Sequence, residues 1–222
     1  MRSIKALSAA LVFIGFVTVA GSAMAERIKL PRPEIVGTVS VEEALAKRRS
    51  VRSYTVEVLS KGDVSQLLWS AQGITDQSGK RAAPSAGALY PLTIYLVAGK
   101  VAGLAPGIYR YVPAGHALEK VSSGDVRAAL SRAALGQSWV RAAPAVFAFA
   151  VNYGRMSRYG ERGRMYADME VGHAAENLAL QAVALSLGSV PVGALREKAA
   201  AEILKLPENQ TMVYLLPVGK PK

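Results

Sequence analysis

The chain has no cysteine. That excludes disulfides, thiolate metal sites and thiol catalysis, and it leaves an oxidising compartment compatible but not required. Histidine occurs only at positions 116 and 173. Two histidines so far apart in sequence offer poor support for a metal cluster or a Ser/His/Asp triad. Acid is also scarce: 16 Asp and Glu face 27 Lys and Arg, for a formal net charge of +11. Such a surplus suits a basic solvated surface, an anionic cofactor or an anionic envelope polymer. No basic stretch is interleaved with aromatics as a nucleic-acid groove requires, so nucleic acid is not expected as a partner. Internal repeats and low-complexity runs are lacking as well.

The first residues carry a different message from the rest. Arg2 and Lys5 precede an apolar run from Ala6 to Ala20, broken only by Ser8, Gly15 and Thr18. Gly21 to Ala25 then supplies small residues, with Ala23 and Ala25 in the spacing a signal peptidase accepts. A membrane span needs about 20 consecutive apolar residues, and this run falls short. The expectation is a secretory signal peptide, residues 1–25, cleaved after Ala25, with the product exported to the periplasm. There is no twin arginine and no lipidation cysteine. Residues 26–222 suit a single domain with a full core.

Along that domain, Glu26 to Thr38 reads as an extended arm. Ser40 with Glu43, and Ser60 with Asp63, have the spacing of capping boxes and open two helices, the second stopped by Gly73. Gln77 to Leu89 reads as a loop and Thr93 to Val97 as a strand. A hairpin follows over Gly107–Val112 and His116–Val121, then a short helix over Gly124–Leu135. Ala145 to Tyr153 is an apolar strand, and Arg155 to Arg164 a basic loop. Tyr166 to Leu187 is the longest helix, apolar on most faces, which requires burial all round or a partner subunit against it. His173 on it reads as a paired core residue. Ala194–Leu206 is a helix and Thr211–Gly219 a last strand. Helices and strands mix without a βαβ rhythm, so the fold class is α+β rather than doubly wound.

Three segments carry candidate chemistry. Arg48, Arg49, Ser50 and Arg52 put three guanidinium groups and a hydroxyl just past a short helix, a donor set that matches phosphate oxygens. Taken alone, the segment reads equally as a solvated basic turn. Pro84, Ser85, Ala86 and Gly87 are small enough for backbone to approach a flat ligand. Pro191, Val192, Gly193 and Ala194 follow the long helix and read as a tight loop whose N–H groups face a ligand. Tyr153, Arg155, Arg158, Tyr159, Arg162 and Tyr166 flank the basic loop, as a solvated face or a substrate mouth.

Six strings carry a family resemblance, in order: SVEEALAKRRSVRSY, VSQLLWSAQGIT, APSAGALYPLTIYLV, GIYRYVP, GHAAENLALQAVALSLGSVPVGA and YLLPVGKP. Together, from about Val41 to Pro221, they resemble the nitroreductase family, and within it the SagB-type dehydrogenase branch of thiazole/oxazole-forming peptide maturases. The resemblance implies a nitroreductase-like α+β fold, with a central antiparallel or mixed sheet flanked by helices. It implies a homodimer with FMN at the subunit interface and the long helix around His173 and Asn177 at the dimer core. It places Arg48, Ser50 and Arg52 on the flavin ribityl and phosphate, with Arg49 adjacent, and Lys220 as a second phosphate cation. Pro84, Ser85, Ala86 and Gly87 would lie along the flavin from the partner subunit. Pro191, Val192, Gly193 and Ala194 would sit at the N5 edge.

Two positions depart from the family pattern. Gly193 stands where many nitroreductases carry an acid. The adjacent Lys–Tyr pair of azoline-forming members is absent, which argues against azoline formation. The function this implies is an FMN-dependent oxidoreductase moving two electrons through flavin N5 on a small-molecule or peptide-derived substrate. Export would favour a quinone or redox-protein electron partner over soluble nicotinamides. The alternative is an exported, non-catalytic protein that binds flavin or an anionic polymer. No catalytic side chain is singled out.

Overall fold

A computed structural model describes residues 27–222, so the signal-peptide expectation for residues 1–25 lies outside the described residues. The strands are β1 (Arg27–Lys29), β2 (Leu92–Ala98), β3 (Gly107–Val112), β4 (Ala117–Ser123), β5 (Ala145–Val151), β6 (Gly188–Ser189) and β7 (Thr211–Gly219). The helices are α1 (Val41–Lys47), α2 (Lys61–Gln72), α3 (Arg127–Ala133), α4 (Ser138–Ala142), α5 (Arg162–Ala184) and α6 (Glu197–Leu204). The strands form one sheet in the order β1-β4-β3-β2-β5-β7-β6, and every strand pairing in it is antiparallel. Among the described residues, no helix is long and apolar enough to cross a membrane.

The middle strand shows how the sequence sets the layers. All seven residues of β5, Ala-Val-Phe-Ala-Phe-Ala-Val, are buried. Side chains alternate across a strand, so large and small residues separate onto opposite faces. Phe147 and Phe149 join Ile94 and Leu96 in a core against α2 and α5. Val146, Ala148 and Ala150 join Tyr95, Val97, Leu130, Val140 and Leu204 in a second core under α3, α4 and α6. Burying each phenylalanine contributes about 1.5–3 kcal/mol. The sheet is thus covered on both faces, which explains why a strand of an antiparallel sheet reads as a continuous apolar run.

The helix starts follow their caps. Ser60 accepts from Asp63 N at 2.9 Å while the Asp63 carboxylate accepts from Ser60 N at 2.9 Å, a complete capping box. At α1 the box is one-sided: Ser40 accepts from Glu43 N, but Lys47 holds the Glu43 carboxylate at 2.5 Å. Gly73 ends α2 with an ordinary φ of −64°. Its role is space, because a Cβ there would lie 2.2 Å from Trp69 Cδ1.

Several expectations are corrected. The basic loop Arg155–Arg164 is instead a 3-10 segment, Tyr153–Tyr159, followed by the first turn of α5. Within the first turn of α5, Gly163 is small because a Cβ would meet Met156 O at 2.6 Å. The helix expected over Gly124–Leu135 is α3 and closes in left-handed backbone at Leu135 (φ 56°) and Gly136 (φ 79°). The helix expected from Ala194 begins at Glu197, because Val192 pairs with Leu215 of β7 and keeps the chain extended. The arm contains β1, paired with β4. The long helix α5 is not buried all round in one chain, since Met165 and Met169 are 40% and 50% exposed. His173 is likewise exposed rather than core.

Candidate cofactor site

The sheet ends at β6, and the arginine-bearing segment is laid along that edge. Ser50 forms a parallel bridge with Ser189, and Val51 N donates to Ser189 O at 2.9 Å. Gly188 is what lets the strands meet, because a Cβ there would lie 2.7 Å from Val51 Cβ. Further on, Tyr54 bridges to Pro221, and its hydroxyl donates to Val51 O at 2.7 Å, with Pro217 O at 3.1 Å. Thr55 N donates to Lys220 O at 2.8 Å. Backbone pairing therefore brings Arg48–Arg52, the start of the Pro191–Ala194 loop and Lys220 to one seam.

The cations on that seam are loosely held. Arg48 Nε lies 3.5 Å from Glu176 Oε1, with both side chains partly exposed. Lys220 Nζ lies 2.9 Å from Glu57 Oε2, and both are about half exposed. Arg49 donates to its neighbour's carbonyl, Arg48 O, at 2.7 Å. Arg52 places its guanidinium carbon 5.5 Å from the Trp139 ring centroid. Solvated ion pairs of this kind are each worth about 0–1 kcal/mol. An incoming phosphate would accept charge-assisted bonds and displace Glu176 and Glu57 at little cost. The donor set of guanidinium, hydroxyl and ammonium groups thus fits a phosphate. Beside it, Arg49, Val51, Ser189, Ala179 and Val183 line a cavity of about 290 Å³.

The Pro191–Ala194 loop is only partly free to meet a ligand. Val192 N donates to Leu215 O at 2.8 Å and Leu215 N returns a bond at 3.0 Å, so this amide is already used. Gly193 and Ala194 are exposed, and among the described residues their N–H groups have no hydrogen-bond partner. Ala194 O accepts from Gln137 Nε2 at 2.9 Å.

The Pro84–Gly87 segment does not join this seam within one chain. It forms a tight turn beside the first half of α5, and Ser85 Oγ accepts from Tyr90 N at 2.9 Å. Gly87, Ala88 and Tyr90 all have positive φ, at 60°, 52° and 47°. For the two non-glycine residues such backbone costs about 1–3 kcal/mol each, and strain of that size gathers at ligand clamps and active sites. The space over Gly87 is occupied by Tyr159 and Arg158, with Tyr159 OH 2.6 Å from where a Cβ would sit. The tyrosines and arginines of the former loop are interlocked here. Tyr159 and Tyr166 stack edge to face at 5.2 Å, while Arg158, Arg162 and Arg164 lie over Tyr159, Tyr166 and Tyr153.

Sequence reasoning missed the polar network behind this turn. Glu170 on α5 is 1% exposed. Its Oε1 accepts from Gln72 Nε2 at 3.2 Å, and Gln72 Oε1 accepts from Arg81 at 2.8 Å. Arg81 also lies 4.2 Å over the Tyr90 ring. Burial raises the Glu170 pKa, and Ser85, Gln72, Arg81 and Arg155 only partly offset it. The available signal was an acid at the buried spacing Ala167, Glu170, Ala174, which an average over an apolar helix hides. Among the described residues, no cluster of three or more His, Cys, Asp or Glu is placed to hold a metal.

The nitroreductase family model matches residues 45–220. A protein of Methanocaldococcus jannaschii assigned to the nitroreductases is 41% identical over 198 residues, covering 89% of this chain and 98% of that one. The crystal structure of a protein from Ralstonia eutropha, likewise assigned to the nitroreductases, superposes with a TM-score of 0.78 at 28% identity, covering 88% of this chain and 90% of that one. At the level of fold alone, the NADPH:FMN oxidoreductase of Vibrio harveyi, solved with NAD+, has a TM-score of 0.61 at 20% identity, over 82% of this chain and 69% of that one. A family match over most of the described chain, a relative aligned almost end to end and a shared sheet-and-helix architecture agree: this chain belongs to the nitroreductase family.

Proposed function

We propose that the protein is an FMN-dependent oxidoreductase, with the cofactor phosphate held by Arg48, Arg49, Ser50, Arg52 and Lys220. One observation carries this reading. The backbone bridges Ser50–Ser189 and Tyr54–Pro221 bring together cations that lie at opposite ends of the sequence. When bound, FMN supplies two-electron transfer through N5. The chain's part is to bind, orient and exclude water: the arginines fix the phosphate, and the free N–H groups of Gly193 and Ala194 donate toward the ring edge. The FMN named in the Vibrio harveyi structure supports the same cofactor.

The working unit is a homodimer with FMN at the interface. Pro84, Ser85, Ala86 and Gly87 lie beside the first half of α5, away from the phosphate seam, and would reach the flavin only from a second chain. Val41, Leu45, Met165 and Met169 are 66%, 55%, 40% and 50% exposed, apolar area that a second copy would cover. The order of the six sequence strings favours a SagB-type dehydrogenase acting on a small molecule or a peptide-derived substrate. If residues 1–25 direct export to the periplasm, a quinone or redox protein serves as electron partner. The test is the absorption spectrum and mass of the ligand released from purified protein. FMN in near-equal ratio to protein supports the reading, and a colourless protein that takes up no added FMN overturns it. Mass of the mature chain from a periplasmic fraction tests export, with Glu26 expected as the first residue.

A further inference from the structure

A second group of cations gathers away from the seam. Arg81, Arg110 and Arg155 line a polar cavity of about 150 Å³ together with Gln72, Tyr90 and Tyr111, and no acid stands in its wall. The arginines come from three separate places: the loop after α2, strand β3 and the 3-10 segment Tyr153–Tyr159. Arg110 is held by Glu119 of β4. Arg81 donates to Gln72 Oε1 at 2.8 Å and lies 4.2 Å over the Tyr90 ring. Arg158, Arg162 and Arg164 each cover a tyrosine; among the described residues Arg155 covers none. Nor, among the described residues, does Arg81 or Arg155 form an ion pair with an acid. Glu170 is linked to Arg81 only through the Gln72 amide. Arg81 is half-buried, and a guanidinium carries five donors and no acceptor, of which Gln72 takes one. Burial lowers the Arg81 pKa, and the like charge of Arg155 lowers it further, opposed by Glu170, Tyr90 and Tyr111. Two facing cations without a counter-ion repel, and an anion between them removes that cost.

We infer that this cavity binds one small oxyanion group, a carboxylate or a phosphate, held by the guanidinium groups of Arg81 and Arg155 with Arg110 adding charge. Guanidinium forks match the paired oxygens of both groups. Size limits the ligand. A water takes about 30 Å³ of liquid, so the cavity has room for roughly five, the space of one such group with its solvent. A flavin ring system is too large for it, because pockets for ligands of that size run to about 300–1,000 Å³. None of the residues assigned to the seam, the Pro84–Gly87 turn or the Pro191–Ala194 loop lines the cavity. The site is therefore additional to the cofactor site and does not rest on the flavin reading.

The experiment is thermal melting of the purified protein titrated with acetate, with inorganic phosphate and with acetamide, a neutral molecule shaped like acetate. Ionic strength is held constant with chloride. The protein is first saturated with FMN, so that the seam is filled. Should it take up no FMN, the double variant Arg48→Ala with Arg52→Ala removes the seam arginines instead. Acetate or phosphate is expected to raise Tm along a saturable curve, as a ligand of the folded state does, and acetamide is not. The anion that binds more tightly identifies the natural group. Arg81→Gln and Arg155→Gln should each raise the apparent Kd roughly tenfold or more, the loss of one charged hydrogen bond. Arg155 is exposed and makes no ion pair among the described residues, so Arg155→Gln keeps the test open if Arg81→Gln fails to fold. No saturable rise with either anion, or equal rises in wild type and Arg155→Gln, overturns the inference. Anion binding in a protein that takes up no FMN, lost in Arg155→Gln, would leave it standing while overturning the flavin reading.

Discussion

The sharpest test of the seam is the double replacement Arg48→Ala with Arg52→Ala. In the free protein Arg48 holds Glu176 at 3.5 Å with both side chains partly exposed, a contact worth at most about 1 kcal/mol. Arg52 lies 5.5 Å over Trp139, a cation–π contact worth about 0.5–1 kcal/mol at an exposed site. Against these, a hydrogen bond from each guanidinium to a phosphate contributes about 1.5–3 kcal/mol. Subtracting what the free side chains forfeit leaves about 2–4 kcal/mol for the pair, roughly 30- to 800-fold in Kd. The assay is quenching of flavin fluorescence, with FMN and riboflavin titrated in parallel. Riboflavin lacks the phosphate, so its affinity should change by less than about threefold on the same arithmetic. Added salt should weaken FMN in wild type and leave riboflavin alone. Equal losses for the two flavins, or no loss for FMN, would refute the assignment of these arginines to the phosphate.

Other expectations follow from particular contacts. His116 sits between Ser65 Oγ at 2.6 Å and Tyr111 OH at 2.9 Å, and burial lowers its pKa below the ordinary 6.5. Its contribution to stability is full above 6.5 and is lost as pH falls through the lower folded value. His116→Asn tolerates the same positive φ and should flatten that part of the acid-unfolding curve. Glu170 has the opposite sign: its pKa is raised, so stability is lost as pH rises through it, and Glu170→Gln should gain melting temperature relative to wild type under alkaline conditions. Met169→Glu puts a charge on the exposed face of α5 and should shift the protein to monomer in analytical ultracentrifugation; an unchanged dimer would place the interface elsewhere. Gly188→Ala inserts a Cβ 2.7 Å from Val51 and should cost about 1–3 kcal/mol by denaturant titration, with weaker FMN binding, because it pries the arginine segment from β6.

Elements with strong local signals were legible in sequence. The Ser60–Asp63 box, the hairpin around Pro113–Gly115 and the apolar run of β5 all appear where local chemistry places them. Boundaries governed by close approach were not. Arg155–Arg164 reads as a loop, yet Gly163 is a contact point for Met156 inside α5, and Val192 is held extended by a strand 23 residues further on. Glu170 escaped notice because its meaning depends on which face of α5 is buried, and on Gln72 and Arg81 reaching it from elsewhere in the chain.

The sequence by itself determined the class of chemistry. Without cysteine, and with two distant histidines and a cluster of arginines, it left room for an anionic cofactor and little for metal or thiol catalysis. It also determined the two-faced core, because alternation along β5 sorts phenylalanine from alanine wherever the strand lies. Only the tertiary structure decided that Arg48–Arg52 and Lys220 share one edge while Pro84–Gly87 does not. The physical reason is that adjacency across β6 and β7 is set by backbone hydrogen bonds between distant segments, which no local residue pattern specifies. The same holds for Glu170: any helix can carry an acid, but only packing against α2 and the turn removes water from it.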